Sequence, residues 1–158
     1  LVSAVVDLAG NDNQLALVSD LLAVRRQFAQ LVLTRLATKP PADTSTFRDA
    51  IHKMEALIEQ AAPTAELAAA DLHILQCFVA MTDSDVLRLC INPTSTLASQ
   101  LPVLQSALYA SPRITVAAWT ALAEWLVSPS VELIPQFMRA IEARDRATLL
   151  RLNRAMQA

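Results

Sequence analysis

The stretch Asn13 to Thr38 reads NQLALVSDLLAVRRQFAQLVLTRLAT. Its apolar residues Val18, Leu21/Leu22, Phe28/Ala29, Val32 and Leu36 recur three and four positions apart, the spacing that places side chains on one face of an α-helix. No glycine or proline interrupts the run, so a single long helix is expected. Arg25 falls on the apolar stripe, three residues after Leu22 and three before Phe28. An unpaired charge in an apolar setting is costly, so Arg25 is expected to meet a protein carboxylate or an anionic ligand. Arg26 lies about 100° further round the helix and is expected to be solvated.

Outward from this helix the text stays helical. Thr46 to Ala61 carries the stripe Phe47, Ile51, Met54, Ile58, and Ala65 to Met81 carries Leu67, Asp71, Ile74, Phe78, Met81. Proline pairs and Ser/Thr/Asp clusters separate the segments at Pro40-Pro41, Pro63-Thr64 and Thr82-Asp83-Ser84, as breakers and caps do. A further helix begins near Asp85, with Pro93 and Pro102 expected to break or kink it. Another starts at Ser111-Pro112, with Ala118, Leu122 and Trp125 on one face, and ends at Ser128-Pro129-Ser130. Val131 to Arg144 and Asp145 to Met156 read as two last helices. Leu1 to Gly10 reads as a short amphipathic helix, set apart from a helical domain over residues 11–158.

Composition supports the same class. The chain of 158 residues is 54% hydrophobic and 4% aromatic, with Gly10 its single glycine. No strand-length alternation of Val, Ile and Thr appears, so an all-α fold of helices packed on helices is expected. The longest mostly apolar stretch, Ile114 to Val127, has 14 residues and contains Glu124. A bilayer span needs roughly 20, so no transmembrane helix is expected. The formal net charge of −2 argues against a lone DNA-binding surface, which is ordinarily basic. Cys77 and Cys90 have no metal-ligand spacing and read as buried, reduced thiols. No signal peptide is visible, and a cytoplasmic setting is expected. The chain begins at Leu1 rather than Met and reads as the retained part of a longer protein.

The candidates for chemistry are few. Asp71 repeats the anomaly of Arg25, a charge on an apolar stripe. The two are expected to face a common polar spot in the bundle, either pairing directly or both contacting a ligand. His52 reads as solvated. His73 diverges from Asp71 by about 200° on a helix, so the two cannot chelate one metal. No HExxH, CxxC, Gly-rich phosphate loop or serine elbow occurs, and no enzyme activity is expected. Trp119 and Trp125, with Phe28, Phe47, Phe78, Tyr109 and Phe137, either pack the core or line an apolar pocket.

Several of these segments resemble the effector-binding domain of FadR-type regulators in the GntR superfamily: Leu21-Leu22-Ala23-Val24-Arg25 in the long helix, Ala70-Asp71-Leu72-His73-Ile74-Leu75, Leu108-Tyr109-Ala110-Ser111-Pro112, and Ala140-Ile141-Glu142-Ala143-Arg144-Asp145. The resemblance implies an antiparallel bundle of six to seven helices, a homodimer that binds a small effector. It also implies a winged-helix DNA-binding domain, not contained in this chain, with residues 1–10 as the end of the linker to it. Many relatives bind a metal through an Asp, a His four residues later and two further His. Here Asp71 is followed at that spacing by Leu75, and no histidine occurs after His73, so no metal and no cofactor are expected. The remaining branch binds long-chain acyl-CoA, and the resemblance places Leu22, Arg25 and Phe28 at the ligand and Val32 one turn further along the acyl tunnel; Asp71 joins these four as a candidate ligand residue through the polar spot it is expected to share with Arg25. Buried methylenes of an acyl tail would contribute about 0.8 kcal/mol each. Beyond Pro112 two registers are open, one bringing Trp125 and Ile141 to the pocket, the other Arg151 to Met156. The alternatives are a sensor of another acyl or carboxylate metabolite held by Arg25, and a helical protein-interaction module with no small ligand.

Overall fold

The structure, a computed structural model, describes residues 11–90 and 102–157. The expected helix over Leu1 to Gly10 and the break at Pro93 lie outside the described residues. Those described are helical and contain no strand.

Helix α1 (Asn11–Thr38) is the long helix of the sequence reading. It stops before Pro40-Pro41, and Lys39 N–H still bonds the Arg35 carbonyl at 2.9 Å. Helix α2 (Ser45–Glu59) starts where the Asp43 carboxylate accepts from the Ser45 amide at 2.8 Å and the Ser45 hydroxyl at 2.9 Å. It ends in paired return bonds, Ala61 N–H to Ile58 C=O and Ala62 N–H to Leu57 C=O, with Ala61 at φ 51°. This is a Schellman motif with alanine in the place glycine ordinarily takes. Helix α3 (Thr64–Ala80) follows Pro63 and closes in the turn at Thr82, whose carbonyl accepts from Arg35 Nε of α1 at 3.0 Å. Residues 85–90 are again helical. Helix α4 (Pro102–Leu108) is short, and helix α5 (Pro112–Trp125) has proline in its first turn, where the missing N–H costs no intrahelical bond. A 3-10 turn (Val131–Leu133), capped by Ser130, leads into α6 (Ile134–Gln157).

The last helix corrects the sequence reading. Val131 to Arg144 and Asp145 to Met156 were expected as two helices; one helix of 24 residues runs through both. The stripe Ile134, Phe137/Met138, Ile141, Asp145, Thr148, Leu152 keeps three-and-four spacing across the supposed break, and Ile134, Asp145, Thr148 and Leu152 are buried. Ala118 is exposed, whereas Leu122 is half-buried and Trp125 buried on α5. Cys77 is half-buried and Cys90 exposed, so the expected burial of both thiols does not hold for Cys90.

α2 packs on α3 and α5, and α1 packs on α6, which also meets α4. Burial divides into two apolar clusters. The larger is built from Val32, Leu33 and Leu36 of α1 with Phe47, Met54, Ile74, Phe78 and their neighbours. Phe47, Phe78 and Trp119 form a triangle within it, with ring centroids 5.4 to 5.9 Å apart. The smaller holds Val18 and Leu22 of α1, Leu104 and Ala107 of α4, and Leu152 of α6. The early part of α1 thus meets the late part of α6, and the two helices run antiparallel. Arg25 and Arg26 fall on α1 between Leu22 of one cluster and Val32 of the other. The charged residues of the long helix therefore sit at the seam between two apolar cores.

Candidate ligand site

The seam is occupied by side chains from α1, α3, α5, α6 and the α4–α5 connection. Arg25 Nη2 bonds Asp145 Oδ1, and Arg26 Nη1 bonds Asp145 Oδ2 at 2.9 Å. Asp145 is 1% exposed, while the Arg25 and Arg26 side chains are 30% and 27% exposed. A carboxylate that deep is tolerable only with its charge met and its oxygens bonded, and two guanidinium groups do both. Arg26, expected to be solvated, instead shares the buried carboxylate. A long side chain can turn its head inward while its stem leaves the helix sideways.

Asp71 does not pair with Arg25, so the direct-pair alternative fails. Its carboxylate is held by aromatic donors: Tyr109 O–H donates to Oδ2 at 2.6 Å and Trp119 Nε1–H to Oδ1 at 2.5 Å. Buried tyrosine and tryptophan need an acceptor for their polar ends, and Asp71 serves both. Burial pushes the Tyr109 phenol well above its ordinary range, the charge and hydrogen bond of Asp71 push the same way, and Arg144 and Arg25 act against them.

Arg144 belongs to the same group. Its Nη2 donates to Thr115 Oγ1 at 2.6 Å, and Thr115 is fully buried in the first turns of α5. Burial pulls the Arg144 guanidinium below the usual arginine range, the Arg25 charge adds to this, and Asp71, Tyr109 and Asp145 oppose it. Arg25 and Asp71 thus act on the same two side chains, Tyr109 and Arg144, without touching.

The five residues expected at a ligand are distributed as follows. Leu22 is buried in the smaller cluster and Val32 in the larger. Phe28 is half-buried against the larger one. Arg25 and Asp71 belong to the polar seam. Among the described residues no group of three or more His, Cys, Asp and Glu is placed to hold a metal ion, and no helix is long and apolar enough to cross a membrane. Trp125, a pocket residue in one open register, donates Nε1–H to the Ser130 carbonyl at 3.2 Å and stacks edge-on against Phe137. Arg151, from the other register, donates to the Ala107 carbonyl at 3.1 Å.

The sequence reading missed Arg26, Tyr109, Thr115, Trp119, Arg144 and Asp145 as members of this group. For Asp145 the signal was present, since it interrupts an apolar stripe as Arg25 does. For Tyr109 and Trp119 the signal was their need for acceptors in a core with few. Arg144 and Thr115 carried none.

Comparison of the chain with family models, with curated proteins and with solved structures finds no match.

Proposed function

We propose that this chain is the effector-sensing domain of a transcription regulator of the FadR type, and that a small acyl effector with an anionic head binds at the Arg25 seam. The observation that carries the reading is the charged group set between two apolar cores. Cationic side chains at such a seam suit an anionic head, and the flanking apolar residues suit an acyl tail. On this reading Arg25 faces the head, Leu22 on one side of it and Phe28 and Val32 on the other are the apolar residues of α1 that flank the effector, and Asp71 closes the seam from α3. The domain works in the cytoplasm as a homodimer, uses no metal and performs no catalysis. DNA contact is made by a winged-helix domain outside these residues. An effector that binds two arrangements of α1 and α6 unequally shifts the balance between them, and that shift is what a DNA-binding domain attached to α1 would read.

Acyl-CoA is the first effector class on this reading. Native mass spectrometry of the protein with a panel of acyl-CoAs, repeated with Arg25→Ala, tests it. A stoichiometric adduct weakened in the variant is expected; a folded protein with no adduct at any chain length would remove acyl-CoA. A second chemistry, a free carboxylate metabolite, is favoured by Arg144, which has no carboxylate within ion-pair distance among the described residues.

A further inference from the structure

Helix α3 carries three soft metal donors at one spacing. His73, Cys77 and Met81 follow one another at intervals of four residues, so each stands one helical turn beyond the last. Cys77 has no metal-ligand spacing to Cys90, but it has one to both of these neighbours. Counted from Asp71, the three fall about 200°, 240° and 280° round the helix axis. The buried residues Leu67, Ile74 and Phe78 lie between them and Asp71, so the three occupy the flank of α3 away from the polar seam. The helical turn persists to its last member: Met81 is in helical conformation, and its N–H bonds the Cys77 carbonyl at 3.3 Å. His73 is exposed, while Cys77 and Met81 are half-buried against the larger core.

Two of the donors already meet. Cys77 Sγ and His73 Nε2 are 3.8 Å apart. Bonds of about 2.3 Å to sulfur and about 2.0 Å to nitrogen place two ligands of one ion about 3.5 Å apart at a tetrahedral angle, about 3.7 Å apart at 120° and about 4.3 Å apart on a straight line. The observed separation lies nearest that of a three-coordinate ion. Side chains on a helix lean toward its N-terminus, which aims the long thioether at position 81 over the turn of Cys77.

We propose that His73, Cys77 and Met81 form a site for a soft monovalent ion, copper(I). Thiolate and thioether sulfur with imidazole nitrogen is the donor set such an ion selects, whereas structural zinc takes about four ligands and has little use for a thioether. Charge selects the same way. Lys53 of α2 acts on the Cys77 thiol. A monovalent ion on a thiolate adds no net charge beside that lysine, and a divalent ion adds one. On binding, the Cys77 sulfur releases its proton to solvent and forms the metal–sulfur bond. The neutral His73 ring donates the Nε2 lone pair and keeps its proton on Nδ1, and Met81 donates a sulfur lone pair. One proton leaves for each ion bound, and no electron is transferred. The site goes beyond the effector-sensing reading and is independent of it: that reading calls for no metal at the seam, and the ion sits on the other flank of α3.

Cys90→Ser leaves Cys77 as the only thiol of the chain and is the background for the test. Copper(I) is titrated anaerobically into this protein in competition with the coloured chelator bicinchoninate. One ion per chain is expected to be withdrawn from the chelator, with one proton released. Cys77→Ser is expected to lose the ion, and His73→Ala and Met81→Leu to hold it at least about tenfold more weakly. X-ray absorption at the copper edge is expected to find two sulfurs and one nitrogen. Circular dichroism reports whether each variant folds; His73 is exposed, and Met81→Leu conserves volume. If Cys77→Ser or Met81→Leu does not fold, His73→Ala and the absorption spectrum decide. No ion withdrawn from the chelator, equal retention in Cys77→Ser, unchanged affinity in His73→Ala and Met81→Leu, a shell with one sulfur, or zinc held as tightly as copper(I) would each overturn the assignment.

Discussion

Arg26 reaches Asp145 at 2.9 Å, a contact between positions 119 residues apart. It joins the middle of α1 to the middle of α6, and Arg25 doubles it on the other carboxylate oxygen. Asp145 lies deeper than either arginine, so the three positions are not equivalent. Removing the acid leaves two half-buried cations unanswered, whereas removing one arginine leaves the acid still paired. Asp145→Asn is expected to cost about 3 kcal/mol in urea unfolding, and Arg25→Met clearly less. A smaller loss in Asp145→Asn than in Arg25→Met would contradict this arrangement.

The partnership of Arg25 is separable by a double-mutant cycle. Arg25→Met combined with Asp145→Asn is expected to show a coupling of about 1–3 kcal/mol, as residues in direct contact do. Arg25→Met combined with Asp71→Asn is expected to be closer to additive, because the two act on shared neighbours and not on each other. The reverse ranking would restore the direct Arg25–Asp71 pair.

Tyr109 is the only tyrosine of the chain, so phenolate absorbance near 295 nm reports it alone. Burial and Asp71 raise its value in the folded protein, against about 10 for a free phenol. The folded state therefore holds its phenol proton where the unfolded state loses it. This contribution to stability is fully present below about pH 10 and is lost as pH rises through the folded value. No phenolate is expected at pH 10.5 until the protein unfolds. In Asp71→Asn the titration is expected to move down while staying above that of a free phenol, since burial remains. A midpoint near 10 in the folded parent protein would place Tyr109 in water.

The helix caps offer a change in the stabilising direction. Ala61 sits at φ 51° in the Schellman turn after α2, a conformation a β-carbon disfavours. Ala61→Gly is expected to stabilise by about 0.5–1 kcal/mol, read as a higher urea midpoint at unchanged slope. A destabilised variant would argue against the left-handed turn.

The two thiols are expected to differ toward a disulfide reagent. Cys90 is exposed. Cys77 is half-buried, and burial raises its thiol against the opposing influence of Lys53. Since the thiolate is the reacting form, Cys90 is expected to react at least about tenfold faster than Cys77 at pH 7.5. Equal rates, resolved with Cys90→Ser, would contradict the burial of Cys77.

The fold was legible where apolar spacing ran unbroken between proline or Asp/Ser breakers, as in α1, α2, α3 and α5. In α6 it was not, because Arg144, Asp145 and Arg146 put three consecutive charges into the middle of the apolar spacing. A buried acid continues a stripe as well as a leucine does when its charge is met from another helix, and that partner lies far away in sequence. For the same reason the site was half legible. Arg25 and Asp71 stood out as charges on apolar stripes, but which charge each would meet depends on how α6 and α5 are set against α1 and α3. No local pattern encodes that setting.

Adjacent residues on a helix point about 100° apart, and Arg144 and Asp145 are adjacent. One is fastened to Thr115 on α5 and the other to Arg25 and Arg26 on α1. Turning α6 about its own axis stretches one of these fastenings whichever way it turns. At about 1.5 Å per residue, the 24-residue helix is a rod pinned near its midpoint by a two-pronged latch. A tilt about that pivot swings its ends in opposite directions, and the 3-10 turn before Ile134 and the Leu152 packing beside α4 are the places where such a swing would be felt.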